Sequence, residues 1–162
     1  DRLGALVAIE PKADAVRRLS AVIDSDPVLA EAVAARLRLS AKQRERLIAL
    51  AAPPWPVDLD GDEREQRRAL FHLGADLYRD LVLLRGAETG KVERARVYLA
   101  PVEAWWPIEF PLKGRDVAAL GVAAGPEIGR RLAEIETWWE AGDFRADRAV
   151  CLAELERRLG RR

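Results

Sequence analysis

Residues 61–85 read GDEREQRRALFHLGADLYRDLVLLR, and the spacing of their apolar side chains decides the fold. Leu70, Leu73, Leu77, Leu81 and Leu84 recur at intervals of three and four, which places them on one face of an α-helix. Phe71, Tyr78 and Val82 widen that face. The acidic residues at the start suit the positive end of the helix dipole, so the segment is read as a continuous helix that organises a core.

Working upstream, Ser40 followed by Gln43 is a capping box that starts a helix at position 41, carrying Leu47, Ile48 and Leu50 until Pro53, Pro54 and Pro56 end it. Ser25-Asp26-Pro27 opens a helix running toward Leu39, with proline in its first turn. Ala13 to Ile23 forms the one before, with Val16, Leu19 and Ile23 on one side, after a short opening segment. Downstream, Gly86 and Gly90 bracket a turn, and Val92, Ala95, Leu99, Val102 and Trp106 make a helical face that Pro101 bends or shortens. From Phe110 the texture changes. Glycines at 114, 121, 125 and 129 punctuate shorter helices, Ile128, Leu132, Ile135 and Trp139 stripe one of them, and Leu152, Leu155 and Leu159 stripe the last. β-branched runs are absent. The expected fold is all-α: a helical bundle-like body over 1–108, then a small helical tail over 109–162.

The 162 residues, 49% of them hydrophobic, suffice for one core or two small ones without a covalent staple. Cys151 is the sole cysteine, so no internal disulfide forms, which fits a reducing compartment. No apolar run approaches the ~20 residues needed to span a bilayer, and no secretory-type leader is visible, so the expectation is a cytoplasmic domain with no membrane partner. The chain begins at Asp1 and lacks methionine, which suggests excision from a longer protein on its N-terminal side. Basic and acidic residues balance at 27 each, so nucleic-acid affinity would have to come from local patches.

One such patch lies in Phe110-Pro-Leu-Lys-Gly-Arg-Asp116, Ala119-Leu-Gly-Val122 and Gly125-Pro-Glu-Ile-Gly129-Arg-Arg131, two helices joined by a glycine turn. Gly121 suits a left-handed helix end, Pro126 the first position of the next helix, and Gly125 a close backbone approach. Free amides near 126–129 at the positive dipole end, with Lys113, Arg115, Arg130 and Arg131 around them, describe a phosphate grip. Glycines that merely permit close helix packing fit the same spacing. A second basic group, Arg36, Arg38, Lys42, Arg44 and Arg46, crowds a helix corner, and Arg64, Arg67 and Arg68 lie on the first turns of the long helix; solvated faces would look the same.

Other constellations carry less chemistry. Asp58-Leu59-Asp60 is literally a D-x-D, but it follows a proline-rich stretch rather than a strand and lacks an upstream glycine loop, which argues against paired metal ligands. An EF-hand is excluded, since Gly61 comes too early and Ala69 holds the position of the bidentate acid. His72 has no second histidine or nearby cysteine to complete a metal set, so it reads as structural, and Cys151 reads as a small core residue. In the pairs Trp105-Trp106 and Trp138-Trp139, core packing is the first reading: one ring fits the apolar stripe, and only the other, turned about 100° away, could face the neighbouring unit or stack on a base.

The run FPLKGRDVAALGVAAGPEIGRRLAEIETWWEAGDF, residues 110–144, resembles the C-terminal segment of bacterial CCA-adding tRNA nucleotidyltransferases and their poly(A) polymerase relatives, especially the alphaproteobacterial type. AARLRLSAKQRERLIALAAP and RALFHLGADLYRDLVLL are similar to the helical region preceding that segment in the family, so the likeness covers most of the chain. What the resemblance implies is an enzyme adding C, C and A to the tRNA 3′ end from CTP and ATP. Its Mg²⁺-dependent catalytic head, an N-terminal α/β domain, has no counterpart here. This chain would then be inactive alone, with no cofactor and no catalytic or metal residues, CTP and ATP acting only through the head. It would hold tRNA or another structured RNA by its backbone. The residues expected to do so are Lys113, Gly114, Arg115, Gly125, Pro126, Gly129, Arg130 and Arg131 in the tail, with Arg38, Lys42 and Arg46 in the body. The competing readings are the same region of a poly(A) polymerase, or a helical interaction or dimerisation module without RNA affinity. Oligomeric state is left open.

Overall fold

The Asp1 carboxylate accepts the Leu3 amide at 3.1 Å and so starts α1 (Arg2–Ile9), a helix where the sequence reading has only an opening segment. The computed structural model describes residues 1–23, 25–102 and 107–160, and within them every regular element is helical. After α1 come α2 (Ala15–Ile23) and α3 (Pro27–Arg36), the latter capped by Asp26, whose carboxylate accepts the Val28 and Leu29 amides. The capping box at α4 (Ala41–Ala51) forms as its sequence dictates: Ser40 Oγ accepts the Gln43 amide at 3.3 Å, and Gln43 Oε1 accepts the Ser40 amide at 3.0 Å. A second box, Asp62 with Glu65, opens α5 (Glu63–Thr89). α6 (Val92–Leu99) passes into a 3₁₀ turn, Ala100–Val102, at the proline expected to shorten it. Then follow α7 (Gly114–Ala119), α8 (Pro126–Ala141) and α9 (Arg148–Arg158). The chain divides into two compact units, Asp1–Pro107 and Ile108–Arg162. Trp105 and Trp106 lie outside the described residues.

Two expectations for the long helix need correction. It is not continuous: Gly74 takes φ 74° and ψ 164°, a conformation open to glycine almost alone, and breaks α5 in two. Leu73 and Leu77, on either side of the break, are only partly buried, whereas Leu70, Leu81 and Leu84 are core. Nor does Gly86 belong to a turn. The helix runs through it to Thr89, and the chain reverses at Gly90, whose φ of 71° caps the end. Gly86 is present for packing. A Cβ there would lie 2.8 Å from the Ala95 Cβ of α6 and 3.4 Å from Ile9 Cδ1 of α1. Gly86→Ala is therefore expected to destabilise the first unit by about 1–3 kcal/mol through overpacking, read as a lower urea midpoint with an unchanged m-value. An unchanged midpoint would mean that α6 moves outward without loss.

In the first unit α1 and α6 pack on α5 while α2 and α3 pack on α4. Leu6, Leu47, Tyr78, Val82, Leu83 and Leu84 are essentially removed from solvent, each aliphatic side chain contributing roughly 1.5–3 kcal/mol before the entropy of ordering is set against it. The Tyr78 hydroxyl donates to Gln66 Oε1 at 2.8 Å, so its polar end is satisfied. Burial pushes that phenol well above its ordinary pKa. The second unit closes on Leu112, Val117, Ile135, Trp139, Cys151 and Leu155. Among the described residues, no helix is long and apolar enough to cross a membrane.

Candidate functional site

The glycine turn of the second unit is built from the residues the sequence singles out. Gly121 is left-handed at φ 75°, past the end of α7, and Pro126 occupies the first turn of α8. Lys113 and Arg115 flank Gly114 on an exposed surface, and among the described residues neither side chain has an ion pair or hydrogen bond. The glycines have distinct roles. Gly114 lets α8 approach, because a Cβ there would stand 3.3 Å from Ile128 Cγ2. Gly125 is exposed at φ 144°, a backbone shape that a side chain would strain. Gly129 is neither: it lies inside α8, and a Cβ added to it would meet nothing within 4 Å. The helix backbone is thus bare toward solvent at that point.

The cations next to it are tethered. Arg130 pairs with Glu127, and Arg131 pairs with Glu127 at 2.8 Å and Glu134 at 3.1 Å. Their guanidiniums, Arg130 first, hold the Glu127 carboxyl below its ordinary range. That carboxylate occupies the positive end of α8, where the sequence reading places an incoming anion. Exposed intrahelical pairs of this kind are weak, because solvent screens them. Deeper in the unit, Arg148 binds Asp116 through two bonds, at 2.8 and 2.6 Å, and Asp116 also accepts the Lys113 amide at 2.7 Å. Arg148, then the Lys113 amide, holds Asp116 far below the usual carboxylate range. This clamp fixes the start of α7 and hence the backbone from which Lys113 and Arg115 project. In α9, Arg157 and Arg158 bring Glu154 down to about 2. Trp139 is buried while Trp138 is half-buried.

In the first unit the expected basic corner is divided. Arg38 and Lys42 are exposed, and among the described residues their side chains have no ion pair or hydrogen bond. Arg38 adopts φ 53°, a left-handed conformation at the end of α3 that glycine usually fills. Arg44 is paired with Glu31. Arg46 turns inward, donating to Asp80 at 2.7 Å and Asp14 at 2.9 Å. It belongs to an ionic network that the sequence reading missed. Arg17, 5% exposed, donates to Asp80 at 2.9 Å, to Glu10 at 2.8 Å and to the Lys12 carbonyl at 2.6 Å, and Glu10 also pairs with Arg18. Burial opposes the charges of Glu10 and Asp14, yet their hydrogen-bonding arginines hold both below their ordinary values; at Asp80 burial wins and pushes the carboxyl up.

The remaining candidates fall into structural roles. Asp58 accepts the Asp60 amide at 2.9 Å, and Asp60 pairs with Lys91, so the D-x-D is spent on a turn. Among the described residues, no group of three or more His, Cys, Asp or Glu could hold a metal ion. His72 is exposed and stacks on Trp55 with ring centres 3.7 Å apart, a contact no local spacing announces. Cys151 is buried, and burial raises its thiol pKa. The chain matches no protein-family model, no curated protein and no solved structure.

Proposed function

We propose that the chain is an RNA-binding helical region that grips a folded RNA by its backbone, the C-terminal part of a CCA-adding tRNA nucleotidyltransferase or of a related poly(A) polymerase. Gly129 carries the reading. A glycine inside a helix costs about 1 kcal/mol relative to alanine, and nothing within this unit requires its missing side chain. A bare stretch of helix beside Arg130, in the unit that also carries the exposed Lys113 and Arg115, suits close approach of a sugar-phosphate chain. Balanced net charge leaves recognition to such local patches and to RNA shape. In the intact enzyme this part would act as a ruler, fixing how far the tRNA 3′ end reaches toward the head; the likeness of residues 110–144 to the family supports that role.

The test is binding of intact tRNA, against a hairpin of matched length, across a salt titration. Arg115→Glu with Arg130→Glu is expected to weaken tRNA binding at least about tenfold and to flatten the salt slope by roughly one unit per lost phosphate contact. Equal affinity of variant and parent, or no binding even at low salt, would sink the reading. A protein-docking module is favoured by one observation, the exposure of Val22, Val28, Leu29 and Leu37 in the first unit, Val28 at 77%. Concentration-dependent self-association in sedimentation, lost on Val28→Lys, would support that alternative.

A further inference from the structure

The buried network of the first unit opens onto a groove of about 540 Å³, within the range of about 300–1,000 Å³ common to small-molecule sites. Its walls set charged head groups among apolar surface. Lys12 and Lys42 stand on them with Arg17, Arg46, Arg79 and Asp80, and the apolar contribution is small side chains such as Ala13. Groove charge follows from the pairings. Three guanidiniums, on Arg17, Arg18 and Arg46, face three carboxylates, on Glu10, Asp14 and Asp80, and so close a neutral network. Arg79 is matched by Asp76 at 2.9 Å. What remains is two lysines. Among the described residues, neither Lys12 nor Lys42 has a side-chain ion pair or hydrogen bond.

The network also fixes the backbone that carries the first of those lysines. Arg17 donates to the Lys12 carbonyl at 2.6 Å, which fixes the backbone between α1 and α2 at the groove edge. The Arg46 side chain is partly exposed, and its bonds to Asp80 and Asp14 tether it. Buried ion pairs are rarely the most stable way to fill such a volume, because desolvating them costs several kcal/mol each. Their presence here makes sense as the rigid floor of a site, since prearranged cations bind an anion without an ordering cost.

We infer that this groove takes a phosphate group through Lys12 and Lys42, over a floor set by Arg46 and Arg17. The surplus of two lysines suits a phosphate anion, whether a phosphodiester or a more highly charged phosphate, and the groove has room for a group attached to it. The inference shares only Lys42 and Arg46 with the RNA reading and stands without it. Either a free phosphate compound or one phosphate of a nucleic-acid backbone can be its source.

The experiment titrates inorganic pyrophosphate into the intact chain at low salt and follows the backbone amides of residues 12–17 and 42–46 by NMR. Saturable shifts are expected. Lys12→Gln with Lys42→Gln should raise the Kd at least about tenfold while leaving the melting temperature unchanged, since neither side chain bonds within the fold. Shifts that fail to saturate, that persist in the double variant, or that chloride reproduces at matched ionic strength would overturn the inference. Competition then names the source. Displacement of pyrophosphate by a short single-stranded RNA assigns the phosphate to a nucleic-acid backbone; displacement by a nucleoside triphosphate but not by RNA assigns it to a small molecule. Both results keep the site, and neither depends on Arg115 or Arg130, the residues that test the RNA reading.

Discussion

Asp80→Ala is expected to destabilise the first unit by about 3–5 kcal/mol, the range found when one partner of a buried ion pair is removed. Asp80 is 2% exposed and binds both Arg17 and Arg46. Without it, Glu10 and Asp14 remain to balance three guanidiniums, and Arg17 keeps a buried charge with only Glu10 and the Lys12 carbonyl as partners. Truncation also leaves a void beside the second half of α5. Urea unfolding followed by far-UV circular dichroism measures the loss. Replacing Arg17 and Asp80 together by Met and Leu should recover much of it, because no unpaired charge is then left inside. A loss below about 1 kcal/mol in the single variant would mean that Arg17 reaches water, and the network would no longer serve as a rigid floor.

Trp139→Ala should be comparably severe and more local in its consequence. The ring is 2% exposed, packs against Phe110 and Phe144 at 5.4 and 5.0 Å between centres, and donates its indole N–H to the Ala146 carbonyl at 2.9 Å. Removing a buried tryptophan costs about 3–5 kcal/mol. A unit as small as residues 108–162 rarely has more stability than that in a single core. The variant is expected to lose hydrogen-exchange protection throughout α7–α9 while amides of α5 stay protected. Trp139→Phe, which keeps most of the packing and loses the indole bond, should cost about 1–2 kcal/mol and leave the unit folded. Retained protection of α8 in Trp139→Ala would show that the tail draws its order from elsewhere.

Local signals were legible and distant pairings were not. Ser40 with Gln43, Pro27 and Pro126 mark helix starts because capping and proline geometry involve only neighbouring residues. Gly86 packs where its position suggests a turn, and Gly74 interrupts a helix whose pattern runs straight through it, since a glycine in a pattern does not reveal whether it supplies a torsion or a gap. A Cβ at the first would meet Ala95 and Ile9 from other helices, whereas the second has φ 74° and open space where a Cβ would stand. Asp80 offered one usable clue: it lies three residues after Leu77 and four before Leu84, on the apolar seam, where a lone carboxylate must find a buried partner. Its partner Arg17 is 63 positions away, beyond any spacing rule. The exposed set Lys113, Arg115, Arg38 and Lys42 could be read from composition and turn chemistry, but the inward turn of Arg46 follows from Asp14 and Asp80, which only folding brings near.

The break at Gly74 also bears on mechanics. A straight helix from Glu63 to Thr89 would be a lever, carrying a push at one end to the other with little loss. A single glycine in an extended, right-of-map torsion is a universal joint, free to absorb bending because no side chain limits its rotation and no neighbour lies within 4 Å of where one would be. Gln66 lies on one side of the joint and Tyr78 and Asp80 on the other, and Tyr78 reaches back across it through its 2.8 Å bond to Gln66. That hydrogen bond is one strut between the two rods, beside the shared core that Leu70 and Leu81 enter from either side.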